Sequence, residues 1–335
     1  MSTLADIYIH HLDPIIISLN GPFAIRWYGL AYVAGFMLGY FVLMQLSKRQ
    51  LYSIPPDKLG DFITLICLFG VIIGARLGEF FFYWLPEHGA AGLISDPLWV
   101  FRVWEGGMAS HGGIIATLIV AIIYSLRNKY SIAGVCDGLA IVCPIGLCFG
   151  RIANFINGEL YGRPCSPDNP LAMKFPQELL ELPLQTQQEV VQHLEQVAGK
   201  PLSALRDMGG DPNIIETVMR MTRESEPFRQ ALGEHLTPRY PSQLFEAFGE
   251  GLVIFLVLII LRFVWKKAPH GIFSALFCLL YAAARIISEC FKEPDAPTWG
   301  IITRGQYLSF AIAALGLVFL GIALRNLKKA RQTPA

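Results

Sequence analysis

Four residues with chemically useful side chains stand in otherwise apolar stretches of the chain, and they are Tyr28, His111, Arg151 and Arg285. Two guanidiniums facing one cavity suit a planar oxyanion such as phosphate, because each can donate two parallel hydrogen bonds. A histidine beside them suits proton transfer near neutral pH. If the fold brings them together, these residue types predict a site that binds a phosphate ester and moves a proton.

Arg285 belongs to a polar stripe at helical spacing. Tyr281, Arg285 and Glu289 follow one another at intervals of four residues. Residues four apart lie on the same face of a helix, so the spacing predicts that Glu289 orients Arg285.

Arg151 opens a second polar group, which includes Asn154, Asn157 and Glu159. Glycines at positions 150, 158 and 162 disfavour a continuous helix there. Non-helical backbone at membrane depth is tolerated where it lines a cavity or is covered by protein. We therefore expect this segment to bend over a polar cavity, with these three side chains satisfying the backbone and holding Arg151.

The composition indicates that the solvent of this chain is a bilayer. Of its 335 residues, 53% are hydrophobic and only 16% are charged, a balance that is typical of a polytopic membrane protein. The formal net charge is +1, so no basic field points to nucleic acid. Cysteine and histidine spacings typical of a metal site are lacking, and neither a metal nor an organic cofactor is expected.

Seven apolar stretches are long enough to cross the hydrocarbon core, which takes about 20 residues of helix. The sequence therefore predicts an all-α integral membrane protein with seven transmembrane helices. The predicted spans are 22–46, 59–84, 108–126, 132–150, 243–265, 271–291 and 305–324.

Basic residues sort the connections between spans into two sides. They cluster after every odd-numbered span, and by the positive-inside rule these ends are cytoplasmic. The N-terminus is then outside, the C-terminus is cytoplasmic, and the four residues named first come to a similar depth in the outer leaflet. The basic residues are Lys48, Arg49, Lys58, Arg127, Lys129, Arg262, Lys266, Lys267, Arg325, Lys328, Lys329 and Arg331.

A change of composition separates a third region from the membrane spans. Residues 165–239 hold polar runs and prolines, and they predict a small helical extracytoplasmic insertion with a partial apolar face between positions 179 and 197. We expect it to pack on the membrane domain or to lie at the interface. The predicted domains are thus 1–164 (spans 1 to 4), 165–239 and 240–335 (spans 5 to 7 and a cytoplasmic tail).

Each of the four residues also has a purely structural explanation when taken alone. The arginines could extend to the outer surface, His111 could hydrogen-bond at the start of its helix, and Tyr28 could belong to an aromatic belt. Their shared depth favours function, because ionisable groups inside a membrane are usually paired or functional. The substrate that an outer leaflet offers is phospholipid, whereas the motifs of metalloproteases, serine hydrolases and ATPases are lacking.

At these residues the sequence resembles the prolipoprotein diacylglyceryl transferase family. The segment GRIANFINGELYGR, from Gly150 to Arg163, fits the family signature G-R-x-x-N-F-x-N-x-E-x-x-G at every specified position. Further similar blocks follow the family order across nearly the whole chain: IRWYGL, GARLG, WEGGMASHGG, YPSQLFE and YAAARIISECFKEPD.

The resemblance implies a bacterial inner-membrane enzyme with seven spans and an active site facing the outer leaflet. Its activity would be transfer of the diacylglyceryl group of phosphatidylglycerol to the lipobox cysteine thiol of preprolipoproteins, which forms a thioether and releases glycerol phosphate. This is the first step of bacterial lipoprotein maturation. Its partners would be phosphatidylglycerol, the preprolipoprotein signal peptide and the bilayer.

The family's functional positions fall on residues of this chain that match its motifs. His111 becomes the candidate general base and the two arginines the candidates for stabilising the departing phosphate, while Glu159 and Glu289 would fix the arginines. The remaining matches, which would orient lipid or peptide, are Tyr28, Asn154, Asn157, Gly162 and Tyr281. The chain departs from the family at Ser110, where Phe is frequent, at Lys292, where Arg is usual, and in its long insertion.

Two other classes of function compete with a transferase. A transporter or flippase for an anionic lipid or solute would need interrupted helices near the midplane and a repeat between halves, whereas seven spans do not divide evenly. A non-catalytic scaffold that binds anionic lipid would need the arginines but not His111.

Overall fold

The computed structural model describes residues 7–18, 24–96, 98–102, 107–202, 214–294 and 302–332. The structure is 73% helical. Its α-helices are α1 (Trp27–Lys48), α2 (Pro56–Leu65), α3 (Gly74–Glu79), α4 (Leu85–Ser95), α5 (Ser110–Asn128), α6 (Ile132–Asn157), α7 (Leu184–Ala198), α8 (Ile214–Glu224), α9 (Glu226–Gly233), α10 (Ser242–Glu246), α11 (Ile254–Val264), α12 (Ile272–Ser288) and α13 (Arg304–Gln332).

Wider helical turns join several of these elements into longer rods. The π-helical segments are Ile66–Ile73 and Phe80–Trp84, between α2, α3 and α4, and Ala247–Val253, between α10 and α11. The short 3₁₀ turns are Trp99–Phe101 and Pro176–Leu180, and the strands are β1 (Tyr8–Ile9), β2 (Ile15–Ser18), β3 (Ala24–Arg26) and β4 (Met173–Lys174).

Within the described residues, six helical rods are long and apolar enough to cross a membrane, as a polytopic integral membrane protein requires. They are Trp27–Lys48, Pro56–Gly89, Ser110–Asn128, Ile132–Asn157, Ser242–Val264 and Arg304–Lys328. They correspond to six of the seven predicted spans. The remaining predicted span, 271–291, contains α12, an apolar helix of only 17 residues. Seven crossings and their orientation therefore stay predictions.

The chain divides into two compact units. The first comprises residues 1–36, 144–254 and 280–312, and the second comprises residues 37–143, 255–279 and 313–335.

The insertion, which belongs to the first unit, has a hydrophobic core of its own. Leu179, Val190 and Leu194 are fully buried, as the predicted apolar face requires, whereas Leu180 is 52% exposed. β1 pairs in parallel with β4, which brings the N-terminal segment onto this core. The side chain of Gln177 donates to the Asn157 carbonyl at 3.1 Å, so the insertion contacts the end of α6.

In the second unit, α3 and α5 approach each other through glycines. A Cβ on Gly78 would lie 2.5 Å from the Cα of Gly112, and one on Gly74 would lie 2.3 Å from the Cβ of Ala116. Small residues let helices pack backbone to backbone in a membrane. The GARLG block therefore fixes where α5 begins.

The chain leaves the helix within the segment for which a bend is predicted, but later than the predicted end of the span at Gly150. α6 continues without a break through Arg151 and Asn154 to Asn157, and the chain turns only at Gly158, whose φ is +72°. A single glycine costs a helix only about 1 kcal/mol, which the packing of neighbouring elements overrides.

Candidate active site

The two predicted arginines are joined through one carboxylate. Arg151 on α6 places its Nε 2.9 Å from Oε2 of Glu246, and Arg285 on α12 places its Nη1 2.5 Å from Oε1 of the same residue. Glu246 is the last residue of α10 and its side chain is fully buried. Three helices thus bring two guanidiniums within reach of one carboxylate group.

Two further carboxylates complete this cluster. Glu250, one turn after Glu246 and also fully buried, lies 3.4 Å from Nη1 of Arg285 and 4.0 Å from Nη2 of Arg151. Glu289 lies 2.7 Å from Nη2 of Arg285, which confirms the predicted i, i+4 contact. The Thr303 hydroxyl donates to the other Glu289 oxygen at 2.6 Å and fixes that side chain.

The arginine cluster, meaning Arg151, Arg285, Glu246, Glu250 and Glu289, carries two positive charges and three carboxylates. The guanidinium side chains are 18% and 11% exposed, so water screens these contacts only weakly. Glu246 and Glu250 are not among the site residues predicted from the sequence. Their signal was present, because two carboxylates at i and i+4 inside an apolar span require a cationic partner.

In the signature segment after Arg151, the hydrogen bonds of Glu159 differ from the predicted ones. The amides of Asn154 and Asn157 donate to Oε1 of Glu159 at 2.7 and 3.2 Å. Glu159 is thus held by asparagines, and the prediction that it fixes an arginine is wrong, since Glu246 takes that place. Gln243 connects the two groups, because its side chain donates to the Glu159 carbonyl at 2.8 Å.

Gly162 lies where three backbone segments meet. Its N–H donates to the Tyr240 carbonyl at 2.8 Å, and it pairs with Lys292 in an antiparallel bridge. A Cβ there would lie 2.5 Å from the Phe291 oxygen and 2.6 Å from the Tyr240 oxygen. The contacts within the protein therefore account for a glycine at this position, where the sequence predicts a role in binding substrate.

Arg239 ties the insertion to this junction. Its Nη2 lies 2.8 Å from Oε1 of Glu178, and its Nη1 donates to the Gly162 carbonyl at 3.2 Å and to Glu293 at 2.9 Å. Burial opposes the charge of Arg239, but the hydrogen bond and charge of Glu178 outweigh it and raise the pKa of the guanidinium. Nothing in the sequence pattern singled out this arginine.

The two predicted tyrosines lie in the first unit with the arginines. Tyr28 is half-buried, and the centroid of its ring lies 5.3 Å from that of Tyr32. Tyr32 in turn interacts electrostatically with Arg151. Tyr281 interacts electrostatically with Arg285. The structure therefore brings Tyr28, Arg151, Tyr281 and Arg285 into one neighbourhood of the fold.

His111 belongs to the second unit, where it is exposed in the first turn of α5. The chain before that helix is held by Arg76, which is buried and stacks on the Trp99 ring at 3.9 Å. Its guanidinium donates to the carbonyls of Trp99 at 2.6 Å, Val100 at 3.0 Å and Gly107 at 2.9 Å. Trp104 and Gly106, which belong to the predicted block around His111, lie outside the described residues.

Apolar helical rods with a buried arginine–carboxylate cluster define a polytopic membrane protein with a polar site inside it. The model of the family described as prolipoprotein diacylglyceryl transferase matches residues 14–322. The chain belongs to this family.

Curated relatives are similar along almost their whole length. The phosphatidylglycerol–prolipoprotein diacylglyceryl transferase of Bdellovibrio bacteriovorus is 40% identical over 337 residues, covering 95% of this chain and 94% of the relative. That of Proteus mirabilis is 37% identical, with 96% of each chain covered. That of Rhodospirillum rubrum is 35% identical, with 94% of this chain and 93% of the relative covered.

Proposed function

We propose that this protein transfers the diacylglyceryl group of phosphatidylglycerol to the lipobox cysteine thiol of preprolipoproteins, the activity that its relatives' names describe in part. The observation that carries the proposal is the carboxylate of Glu246 shared by Arg151 and Arg285. Groups that meet on one carboxylate are close enough together to meet on one phosphate, whose oxygens accept the same bidentate bonds.

The reaction needs an anion site and a proton acceptor. The thiol sulfur attacks the glyceryl carbon that carries the phosphate, so a C–S bond forms, the C–O bond breaks, and the electron pair leaves with glycerol phosphate. Arg151 and Arg285 stabilise the charge that develops on the leaving phosphate, and Glu289 holds Arg285 in place. Tyr28, Asn154 and Tyr281 orient the lipid or the peptide. The thiol proton passes to His111.

Seven spans, with the N-terminus outside and the C-terminus cytoplasmic, are part of the same proposal. They place the arginine cluster in the outer leaflet of a bacterial inner membrane, where phosphatidylglycerol and the exported signal peptide are both present. The division into residues 1–164, 165–239 and 240–335 belongs to the proposal as well. Basic residues such as Lys48, Arg127 and Arg325 at the opposite helix ends support this orientation.

One experiment separates this function from its alternatives. Purified protein is incubated with phosphatidylglycerol labelled in its acyl chains and with a lipobox peptide, and the products are analysed by mass spectrometry. A transferase yields a thioether-linked lipopeptide and glycerol phosphate. A flippase moves the labelled lipid between leaflets without lipopeptide, and a scaffold only binds it; either result contradicts the proposal.

The role of His111 has a test of its own. His111→Gln keeps a hydrogen-bonding side chain but removes the proton acceptor, so we expect the transfer rate to fall by about 10² to 10⁴. Raising the pH towards the thiol pKa of about 8.5 should restore part of the rate, because the thiol then ionises without a base. Normal turnover of the variant at neutral pH would contradict the assignment.

A further inference from the structure

The position between the two arginines is already taken by an anion of the protein itself. Of the described carboxylates, Glu246 alone lies within hydrogen-bonding distance of both guanidiniums, at 2.9 Å from Arg151 and 2.5 Å from Arg285. A phosphate that bridges the two guanidiniums at the same place would have to displace this carboxylate. Substrate binding and the Glu246 contact therefore compete.

The charge of the cluster makes this competition strong. Two arginines already face three carboxylates, and a phosphodiester would bring one more negative charge into a site with little water. Like charges at such short separation disfavour the charged forms, and protonation of one carboxylate relieves the repulsion. The displaced Glu246 is the carboxylate that loses its cationic partners, so it is the one expected to accept a proton.

Of the described groups around Glu246, Glu250 is the other carboxylate that faces both arginines, and it lies farther from each of them. Arg151 of α6 and Arg285 of α12 face it from neighbouring helices, and Glu250 lies on the π-helical turn that continues α10. Glu289 keeps its contact with Arg285 through Nη2, the nitrogen that Glu246 does not touch, and retains the Thr303 hydroxyl. Tyr281 interacts with Arg285 but carries no charge near neutral pH.

We propose that Glu246 competes with the substrate for the arginine pair: the phosphodiester of phosphatidylglycerol displaces the Glu246 carboxylate, which then binds one proton from water. The inference rests on the proposed function and deepens it. It assigns to Glu246 control over how tightly the lipid binds, and it predicts that binding is proton-linked even in the absence of the peptide.

Calorimetry on the full-length protein tests this proposal. Short-chain phosphatidylglycerol is titrated into protein held in neutral-lipid nanodiscs, in two buffers of different ionisation enthalpy, and the difference gives the protons taken up. The lipid is a phosphodiester, which does not titrate near neutral pH, so any uptake belongs to the protein. We expect about one proton per lipid, and an affinity that falls about tenfold for each pH unit above neutrality.

Glu246→Gln is the decisive variant, because the amide cannot compete as an anion or take up a proton. We expect it to bind the lipid about tenfold tighter or more, corresponding to one charged hydrogen bond, without proton uptake. Glu250→Gln is the matched control. It removes the same negative charge one turn along the helix, from a carboxylate that comes no closer than 3.4 Å to an arginine. We therefore expect a smaller increase in lipid affinity, and proton uptake should be retained.

Three results would overturn the inference. They are no proton uptake by the unmodified protein, weaker lipid binding by Glu246→Gln, or equal tightening in the two variants, which would indicate a general charge effect. If Glu246→Gln does not fold, the proton count and pH series of the unmodified protein still decide. A protein that makes lipopeptide yet binds lipid without protons would refute this inference alone, whereas absence of lipopeptide would refute the proposed function.

Discussion

Two buried carboxylate sites in this protein are stabilised in opposite ways. In the first unit, Glu246 is held by the side chains of two arginines. In the second unit, Asp137 of α6 accepts from the backbone N–H of Gly271 at 2.7 Å, and from the N–H and hydroxyl of Ser274 at 2.8 Å each. Backbone donors cannot leave without unfolding a turn, whereas arginine side chains can exchange one anion for another.

The type of hydrogen-bond donor, and not the degree of burial, distinguishes the structural carboxylate Asp137 from the functional carboxylate Glu246. Asp137 is 7% exposed and Glu246 is fully buried, so accessibility alone would rank them alike. Asp137 fixes the turn at Gly271, whose φ of +101° suits glycine, and so sets the start of α12. Changes in the arginine cluster should therefore alter transfer, and changes at Asp137 should alter stability.

Of the changes that test this comparison, replacement of either arginine by lysine is expected to have the largest effect. Arg151→Lys or Arg285→Lys keeps the charge but loses the planar fork, and each should lower transfer by roughly tenfold or more, since a charged hydrogen bond contributes about 1.5 to 3 kcal/mol. Initial rates with labelled phosphatidylglycerol measure it. Arg49→Lys, at an exposed position, should transfer normally. Near-normal turnover of either cluster variant would remove that arginine from the phosphate site.

A smaller loss should follow from disturbing the cluster without touching its charges. A Cβ on Gly305 would lie 2.0 Å from Oε1 of Glu289, so Gly305→Ala must push this carboxylate away from Arg285. Misplacement by about 1 Å can cost up to 10²-fold, and we expect a loss of several-fold to tenfold in kcat. Gly321→Ala on the same helix, which has open space around it, should leave transfer unchanged. Equal rates for the two variants would show that Glu289 does not position Arg285.

Asp137→Asn should reduce stability and leave the chemistry intact. The amide nitrogen turns an acceptor into a donor, so a buried donor of Gly271 or Ser274 loses its partner at a cost of about 1 to 3 kcal/mol. Thermal unfolding in detergent should show the loss, and transfer per folded molecule should match the unmodified protein. Asp61→Asn, at an exposed site, is the control. Loss of transfer without loss of stability would show that Asp137 has a functional role and not a structural one.

The last test concerns stability alone and uses pH and a buried histidine, His10. Burial lowers the pKa of His10 to about 4, against a hydrogen bond with Phe155 that raises it, while the charges of His11 and Arg223 lower it further. The folded state thus disfavours the proton, and the stability that neutral His10 confers is complete above the unfolded pKa of about 6.5. As the pH falls, this stability decreases until the folded group also titrates near pH 4, a total of about 3 kcal/mol.

His10→Phe should flatten this acid dependence, because the ring still packs between Phe155 and Phe175 but cannot take up a proton. Unfolding temperatures at pH 7.5 and pH 5 measure it, with little difference between the proteins expected at pH 7.5. His11→Phe, one residue along the chain, serves as the control and should keep the acid sensitivity. An unchanged acid sensitivity in His10→Phe would assign it to other groups.

Much of the fold could be predicted because the bilayer imposes length and polarity on each span. The six long rods agree with the predicted spans, and Glu289 was correctly placed on Arg285. The continuous helix through Gly150 could not be predicted from local propensity, since tertiary packing overrides it. α12 ends at Ser288, before the predicted end of its span at 291, and the backbone beyond it pairs with Gly162 and Arg163.

The candidate site could be predicted only as far as its residues carry charges that stand out. Arg151 and Arg285 are conspicuous in apolar sequence, whereas their shared partner Glu246 lies near the start of the predicted span 243–265, beside polar Ser242 and Gln243. Arg76 and Arg239 bind mainly backbone carbonyls or distant acids. Such contacts depend on loops, whose conformation leaves no periodic pattern of apolar residues in the sequence, so only the structure locates them.

The Arg239 contacts limit how this protein could be shortened or recombined. One guanidinium connects Glu178 inside the insertion, the Gly162 carbonyl of the signature segment and Glu293 beyond α12. An exchange of residues 165–239 between relatives therefore moves Arg239 and Glu178 but leaves Gly162 and Glu293 behind. A chimera needs a compatible acid on each side of the boundary. The insertion is therefore structurally coupled to the segment that it follows, although its composition predicts a separate module.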